Sequence, residues 1–294
     1  MIAYLSAMLI LGCIYALMAL GLNLHYGYTG LVNFGHVAFF AIGAYTSALV
    51  TTALGLPIPM GFALALLAAG IAAYPLGLVS LRLRTDYLAI VTLGFSEVIR
   101  AILVNEAWLT RGTHGISNIP RPFSQLPTGA NELAYLGLVS GLLVIIYLAI
   151  ERLGRAPFGR TLRAIRENEE AAVSLGKTIA NFKMRSFMIG AAIAGLAGAA
   201  YAHYINYVVP DQFIPLVTFY IWVAMILGGA GSNKGVVLGT LLLLVFLEGT
   251  RFVKDFVPLF TDVQLAALRF MVVGVALILL MLYRPQGIWG RKEI

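Results

Sequence analysis

Two pairs of opposite charge sit inside apolar stretches: Glu97 with Arg100, and Glu248 with Arg251. A spacing of three puts each pair on one helix face. An ionisable group at membrane depth costs several kcal/mol unless it is paired or wet. Such pairs can run a proton relay, which needs a driving gradient, or can simply hold a fold together; the second reading asks for less. The four histidines, His25, His36, His114 and His203, form no H-E-x-x-H pattern and have no carboxylate at ligand spacing, which argues against a metal site. No Gly-x-Ser-x-Gly elbow offers a nucleophile. Gly228-Gly229-Ala230-Gly231-Ser232-Asn233-Lys234-Gly235 has the outline of a phosphate loop. Yet Asn233 stands where glycine is needed, Gly235 where Ser or Thr is needed, and an apolar span precedes it in place of a strand. A tight turn is expected there. The lone Cys13 excludes an intramolecular disulfide and a cysteine metal site. No cofactor is expected, and the chain is not expected to be an enzyme.

The more telling polar groups lie in 23–50. Asn23, His25, Tyr26, Tyr28, Thr29, Asn33 and His36 interrupt an otherwise apolar run, with Gly27, Gly30, Gly35 and Gly43 among them. Non-helical backbone at membrane depth persists only where protein or a wet cavity surrounds it. The segment is therefore expected to be broken or re-entrant, with Asn23, Tyr26, Thr29, Asn33 and His36 as candidates to line a path for a solute.

The elements that must carry these residues follow from composition. The chain has 294 residues, of which 60% are hydrophobic and 11% charged. Soluble domains carry about 25% charged residues, so lipid must be the solvent for much of this surface. A bilayer core takes about 20 helical residues to cross. Candidate spans are 2–22, 58–80, 87–104, 133–150, 186–208, 217–227, 235–251 and 263–283. The expectation is an all-α polytopic bundle of about eight spans (range eight to ten) plus the broken segment, in one membrane domain over 1–294. The first segment has no basic flank and is expected to be a retained span. The net charge of +7 is accounted for by cationic inner loops, so no nucleic-acid partner is expected.

The one long polar run, 151–185, holds eight of the twenty Lys and Arg residues. Short basic loops stay cytoplasmic; Arg82, Arg84, Arg284, Arg291 and Lys292 share that side if the spans are counted correctly. A re-entrant 23–50 would also put the N-terminus inside, and a full crossing would put it outside. A helix is expected over 160–175. Pro157 suits its start, Arg163–Glu167 and Arg166–Glu170 stand at i,i+4, and Gly176 is placed for a left-handed cap. Leu162, Ile165, Ala172 and Val173 lie near one face. Such a helix can rest on lipid or dock in a protein groove, and its small apolar face favours the groove.

Here the residues carry a resemblance. Glu170-Ala171-Ala172-Val173-Ser174-Leu175-Gly176 resembles the E-A-A-x-x-x-G motif in the cytoplasmic loop of ATP-binding-cassette importer permeases. The runs Gly159 to Glu169, Gly21 to Gly30, Tyr87 to Gly94 and Arg284 to Gly290 are similar, in order, to the LivM-type permeases of branched-chain amino acid importers. The resemblance implies a LivH-type permease partner, two cytoplasmic ATPase subunits, an external substrate-binding protein and an inner-membrane location. Under it, Arg163, Arg166, Glu167, Glu170, Ala171, Ala172 and Gly176 would couple the chain to the ATPases. The loop 105–132 would be an outer loop, either a docking surface for the binding protein or an ordinary aromatic-belt loop. Leucine, isoleucine and valine are the expected solutes; related systems carry urea or short amides. A secondary transporter working alone remains the rival reading, because broken helices suit that class too.

Overall fold

The computed structural model describes residues 2–80, 83, 85–256 and scattered positions between 267 and 289. The described elements run α1 (Ile2–Thr29), α2 (His36–Thr52), α3 (Ile58–Ser80), α4 (Thr85–Asn105), α5 (Ala107–Thr110), α6 (Thr128–Arg155), α7 (Pro157–Glu167), α8 (Glu169–Ser174), α9 (Ile179–Ile205), α10 (Pro215–Gly228) and α11 (Asn233–Phe256), with short 3₁₀ turns at Gly112–His114 and Pro210–Gln212. This is a polytopic helical bundle. Six stretches among the described residues are long and apolar enough to cross a membrane, and the 17-residue α2 is apolar but shorter. Much of the expected last span, 263–283, and the arginines at 82, 84, 284 and 291 with Lys292 lie outside the described residues.

The helix α9 is the centre of the packing, lying against α1, α2 and α3. Small residues allow this. Gly195 of α9 meets Gly43 of α2 on one side and Ala65 and Ala69 of α3 on the other. A Cβ added to Gly195 would stand 2.7 Å from the Ala65 carbonyl oxygen and closer still to the Ala69 methyl. In lipid, where burying apolar side chains against one another gains little, such close backbone approach supplies the van der Waals contact that holds helices together.

Two sets of contacts mark the two ends of the bundle. At one end the last turn of α1 meets α7, the start of α9 and the 229–232 turn, through Arg166 to the Gly27 oxygen (2.7 Å), Thr29 to Ser186 (2.8 Å), and the Gly231 N–H to Asn23 (2.8 Å). At the other end Ser6 donates to Glu132 (3.1 Å), Glu132 pairs with Arg121 (3.3 Å), and His203 joins α2 to the 111–127 loop. There His203 Nδ1 donates to the Pro120 oxygen (2.6 Å), so its Nε2 accepts from the Ser47 hydroxyl (2.8 Å).

These marks correct the expected topology. The helix α1 does not stop near residue 22 but continues through Asn23–Thr29 to the polar-loop end. The break is confined to 30–35, after which α2 starts at the depth of Met18 and runs to the opposite end. The N-terminal end of α1 therefore lies opposite the polar loop. Gly30, at φ +74°, makes the stop possible: its N–H bonds the Tyr26 oxygen, and the N–H of Leu31 turns back to the His25 oxygen. Glu97 and Arg100 form the expected ion pair at 3.1 Å, half exposed, and Arg100 also approaches Asp211 at 3.9 Å.

The contact at Gly195 gives a stability test. Gly195→Ala is expected to cost about 1–3 kcal/mol through overpacking and to lower the unfolding temperature of the purified protein in detergent. Gly94→Ala, where an added Cβ meets nothing within 4 Å, is expected to leave it unchanged. Equal melting of the two variants would refute the packing account.

Candidate functional site

The break between α1 and α2 is held by a knot of three side chains. His25, Asn33 and His36 are all fully buried. His25 Nε2 lies 2.9 Å from the Phe187 oxygen and His36 Nε2 lies 3.1 Å from the Met18 oxygen. A carbonyl only accepts, so both imidazoles carry their hydrogen on Nε2 and present Nδ1 as an acceptor. The Asn33 amide sits between them, 3.2 Å from His25 Nδ1 and 3.5 Å from His36 Nδ1, and supplies one hydrogen to each. Its Oδ1 accepts from the Gly35 N–H (2.9 Å), and its backbone oxygen accepts from Trp222 Nε1 (3.0 Å). Two more hydroxyls close the break: Thr92 takes the Phe34 N–H (3.1 Å) and Thr218 takes the Val37 N–H (2.9 Å). The N–H groups of Gly30, Leu31, Phe34, Gly35 and Val37 are thus each satisfied around a segment without helical bonds.

In front of the knot lies an aromatic face. Tyr26 packs edge-on against Trp222 (4.7 Å between centroids), and Phe34 lies over Phe219 (5.1 Å) and beside Trp222 (5.3 Å). Tyr26 and Phe34 are half-buried and Phe219 is exposed.

At the polar-loop end a second network runs in one direction. The Gly231 N–H donates to Asn23 Oδ1, so Asn23 Nδ2 must donate to Asn233 Oδ1 (2.9 Å). Asn233 Nδ2 then gives one hydrogen to the Tyr28 oxygen and one to Glu151 Oε2, each at 2.9 Å. The other carboxylate oxygen of Glu151 accepts from Arg155 Nε (3.2 Å) and Nη2 (2.9 Å). One chain of bonds therefore ties α1, the 229–232 turn, α11 and α6.

The rod α7–α8 is fastened beside it. Arg163 donates to the Gly154 oxygen (2.6 Å) at the end of α6 and lies over the Tyr28 ring (5.8 Å); Arg166 donates to the Gly27 oxygen at the end of α1. The last carbonyls of a helix lack intrahelical partners and carry the negative end of its dipole, so each guanidinium caps a membrane helix. The expected single helix over 160–175 is two: it starts at Pro157 and breaks at Asn168, which is extended (φ −154°) and whose Oδ1 caps α8 by accepting from the Ala171 N–H (2.9 Å). The break removes the i,i+4 register of Arg166 and Glu170, and Arg163 turns to the Gly154 oxygen, away from Glu167. Gly176 does adopt the left-handed cap (φ +72°), with its own N–H on the Val173 oxygen and that of Lys177 on the Ala172 oxygen.

The residues of interest divide cleanly. Leu162, Ile165 and Ala172 are buried and the two arginines face the bundle, while Glu167, Glu170, Ala171, Val173, Leu175 and Gly176 are exposed. Among the candidate path residues, Asn23, Thr29, Asn33 and His36 are buried against protein partners, and Tyr26 borders the aromatic face. Glu151, Asn233 and Tyr28 were not singled out as site residues from the sequence. The available signal was a polar residue, Asn23, within an apolar helix, which demands a partner; that the partner stands 210 positions away is not readable from spacing.

Residues 4–283 match the family described as branched-chain amino acid transport system / permease component. The chain belongs to that family. The permease is 37% identical over 298 residues to the high-affinity branched-chain amino acid transport system permease protein LivM of Escherichia coli K12, covering 94% of this chain and 67% of that one. It is 29% identical to the probable LivM of Methanocaldococcus jannaschii, over 96% and 92% of the two chains. It is also 28% identical to LivH of Salmonella typhimurium, over 97% and 94%. No solved structure matches.

Asn33→Leu strands both imidazole Nδ1 atoms and the Gly35 N–H. Each orphaned buried group is expected to cost about 1–3 kcal/mol, read as a fall in the unfolding temperature of the permease in detergent. Melting like wild type would mean that the knot does not hold the break.

Proposed function

We propose that this permease is a membrane-spanning subunit of an ATP-driven importer for branched-chain amino acids. In this reading it pairs with a LivH-type permease, is driven by two cytoplasmic ATP-binding-cassette subunits and is supplied by an external substrate-binding protein. It lies in the plasma membrane, as one domain over 1–294, with loop 151–185 and the C-terminus cytoplasmic. The fastening of α7 to two membrane helices carries the proposal. A rod whose inner side caps α1 and α6, and whose outer side presents Glu170, Ala171, Val173 and Leu175, is built to pass a push inward. In support of the sidedness, the N–H groups of Ile288 and Trp289 bond the Leu227 and Gly228 oxygens, next to the 229–232 turn. The names of the LivM and LivH relatives supply the solute class.

The push would reach α1 and the 229–232 turn together, because Arg166 and the Asn23–Asn233 chain join them. The path is assigned to the aromatic face of Tyr26, Phe34, Phe219 and Trp222, which suits an apolar side chain; Asn33, His36 and Thr29 fix its wall from behind, and Asn23 ties that wall to the turn. No covalent chemistry is needed in this chain.

Cysteine at Val173 or Leu175, in a Cys13→Ser background, is expected to crosslink to an ATPase subunit in the assembled, transporting complex. Capture of no ATPase from either position would end the coupling reading. Gly176→Val forces a β-branched residue into a left-handed backbone, at a cost of about 1–2 kcal/mol, and is expected to lower transport per ATP hydrolysed while the complex still assembles. An unchanged ratio would remove Gly176 from the coupling element.

A further inference from the structure

The polar-loop end holds an open cavity of about 360 Å³ bordered by Tyr28, Glu151, Arg155, Arg163, Ser232 and Lys234. Three cations and one carboxylate line it. The carboxylate is already engaged, with Arg155 on one oxygen and Asn233 on the other. The lining therefore keeps an excess of two positive charges and of hydrogen-bond donors.

One donor is unspent. Tyr28 is only 5% exposed. The direction of the buried chain makes its oxygen an acceptor from Asn233, and among the described residues no group accepts its hydrogen. A buried hydroxyl that accepts but does not donate leaves part of its hydrogen-bonding capacity unmet, and this one borders the cavity. Arg163 has one nitrogen on the Gly154 oxygen and keeps further N–H groups, and Lys234 is exposed at the rim. The 229–232 turn adds the start of a 24-residue helix, α11, whose N-terminal dipole favours an anion.

We infer that this cavity is an anion site for a phosphate group, held by Tyr28 Oη–H, Arg163, Lys234 and the start of α11. Phosphate is preferred over a carboxylate because the lining donors belong to three elements, α1, α7 and α11, and a tetrahedral anion offers acceptors in that many directions. A guanidinium with free N–H groups suits phosphate geometry. Position allows two sources: the headgroup of an anionic phospholipid, since α6 ends here, or a free phosphate compound. Binding would sit between the α7 rod and the 229–232 turn. The inference concerns binding alone and stands whether or not the rod couples to an ATPase.

The test uses the full-length permease. In one arm, inorganic phosphate is titrated against chloride at equal ionic strength in neutral detergent, and the unfolding temperature is read. In the other, native mass spectrometry compares retention of phosphatidylglycerol with retention of phosphatidylcholine. A rise with phosphate, or selective retention of phosphatidylglycerol, is expected, and the arm that responds identifies the source. Lys234→Gln and Tyr28→Phe are each expected to weaken that response about tenfold, the loss of one charge-assisted donor. The two variants fail differently: the first changes only a rim side chain, so it remains informative if the second folds poorly. No response in either arm, or a response undiminished in Lys234→Gln, overturns the site.

Discussion

A backbone N–H at one end and a carboxylate at the other fix the direction of every hydrogen bond between Gly231 and Glu151. That constraint organises the loop-side half of the molecule. Asn23 and Asn233 are each forced into one amide orientation, because the Gly231 N–H can only donate and Glu151 can only accept. Four elements distant in sequence, α1, the 229–232 turn, α11 and α6, are thereby held in one register. Buried polar chains of this kind are specific because a slip of any member leaves a donor facing a donor. Apolar packing alone would tolerate such a slip far better.

The rod is attached to the same assembly by a second device of the same kind. Arg163 and Arg166, three positions apart, reach the orphan carbonyls of two different helices. Each contact is a charge-assisted bond at a helix end, where the dipole adds to it. A rod held by apolar contact alone could sit in several registers; two directed bonds fix one. The aromatic face then follows from connectivity, since Tyr26 lies in the turn of α1 that ends at Gly27, whose oxygen Arg166 holds.

Much of the fold was legible. Long apolar runs, a break in 23–50, a basic loop and a Gly176 cap could all be read from types and spacing. What could not be read has physical reasons. Asn168 looked like an ordinary helix residue, and only the observed cap onto the Ala171 N–H reveals it as a stop and restart. The extent of α1 is not legible because Asn23, His25 and Thr29 are poor candidates for lipid, yet each is shielded by protein: Asn233, the Phe187 oxygen and Ser186. Polar residues in an apolar run signal burial among other helices as well as a broken backbone. The sequence alone cannot separate the two when the shielding groups come from elements more than a hundred residues away.

The knot also bears on how transport can be driven. A proton relay needs a group whose proton count changes at modest cost. His25 and His36 already spend their Nε2 hydrogens on carbonyls, and their Nδ1 atoms receive the two hydrogens of a single amide. A proton added to either Nδ1 would set N–H against N–H. Rotating Asn33 to offer its oxygen would expose the Gly35 N–H and the second imidazole at once. The three residues therefore keep one hydrogen-bonding arrangement as a unit. Of the ionisable pairs within the spans, Glu97 and Arg100 neutralise each other near the far end of α4, half exposed and away from the knot. The same helix that carries His25 is held at its end by Arg166 of the rod, so the knot and the rod fix one element, α1, from two sides.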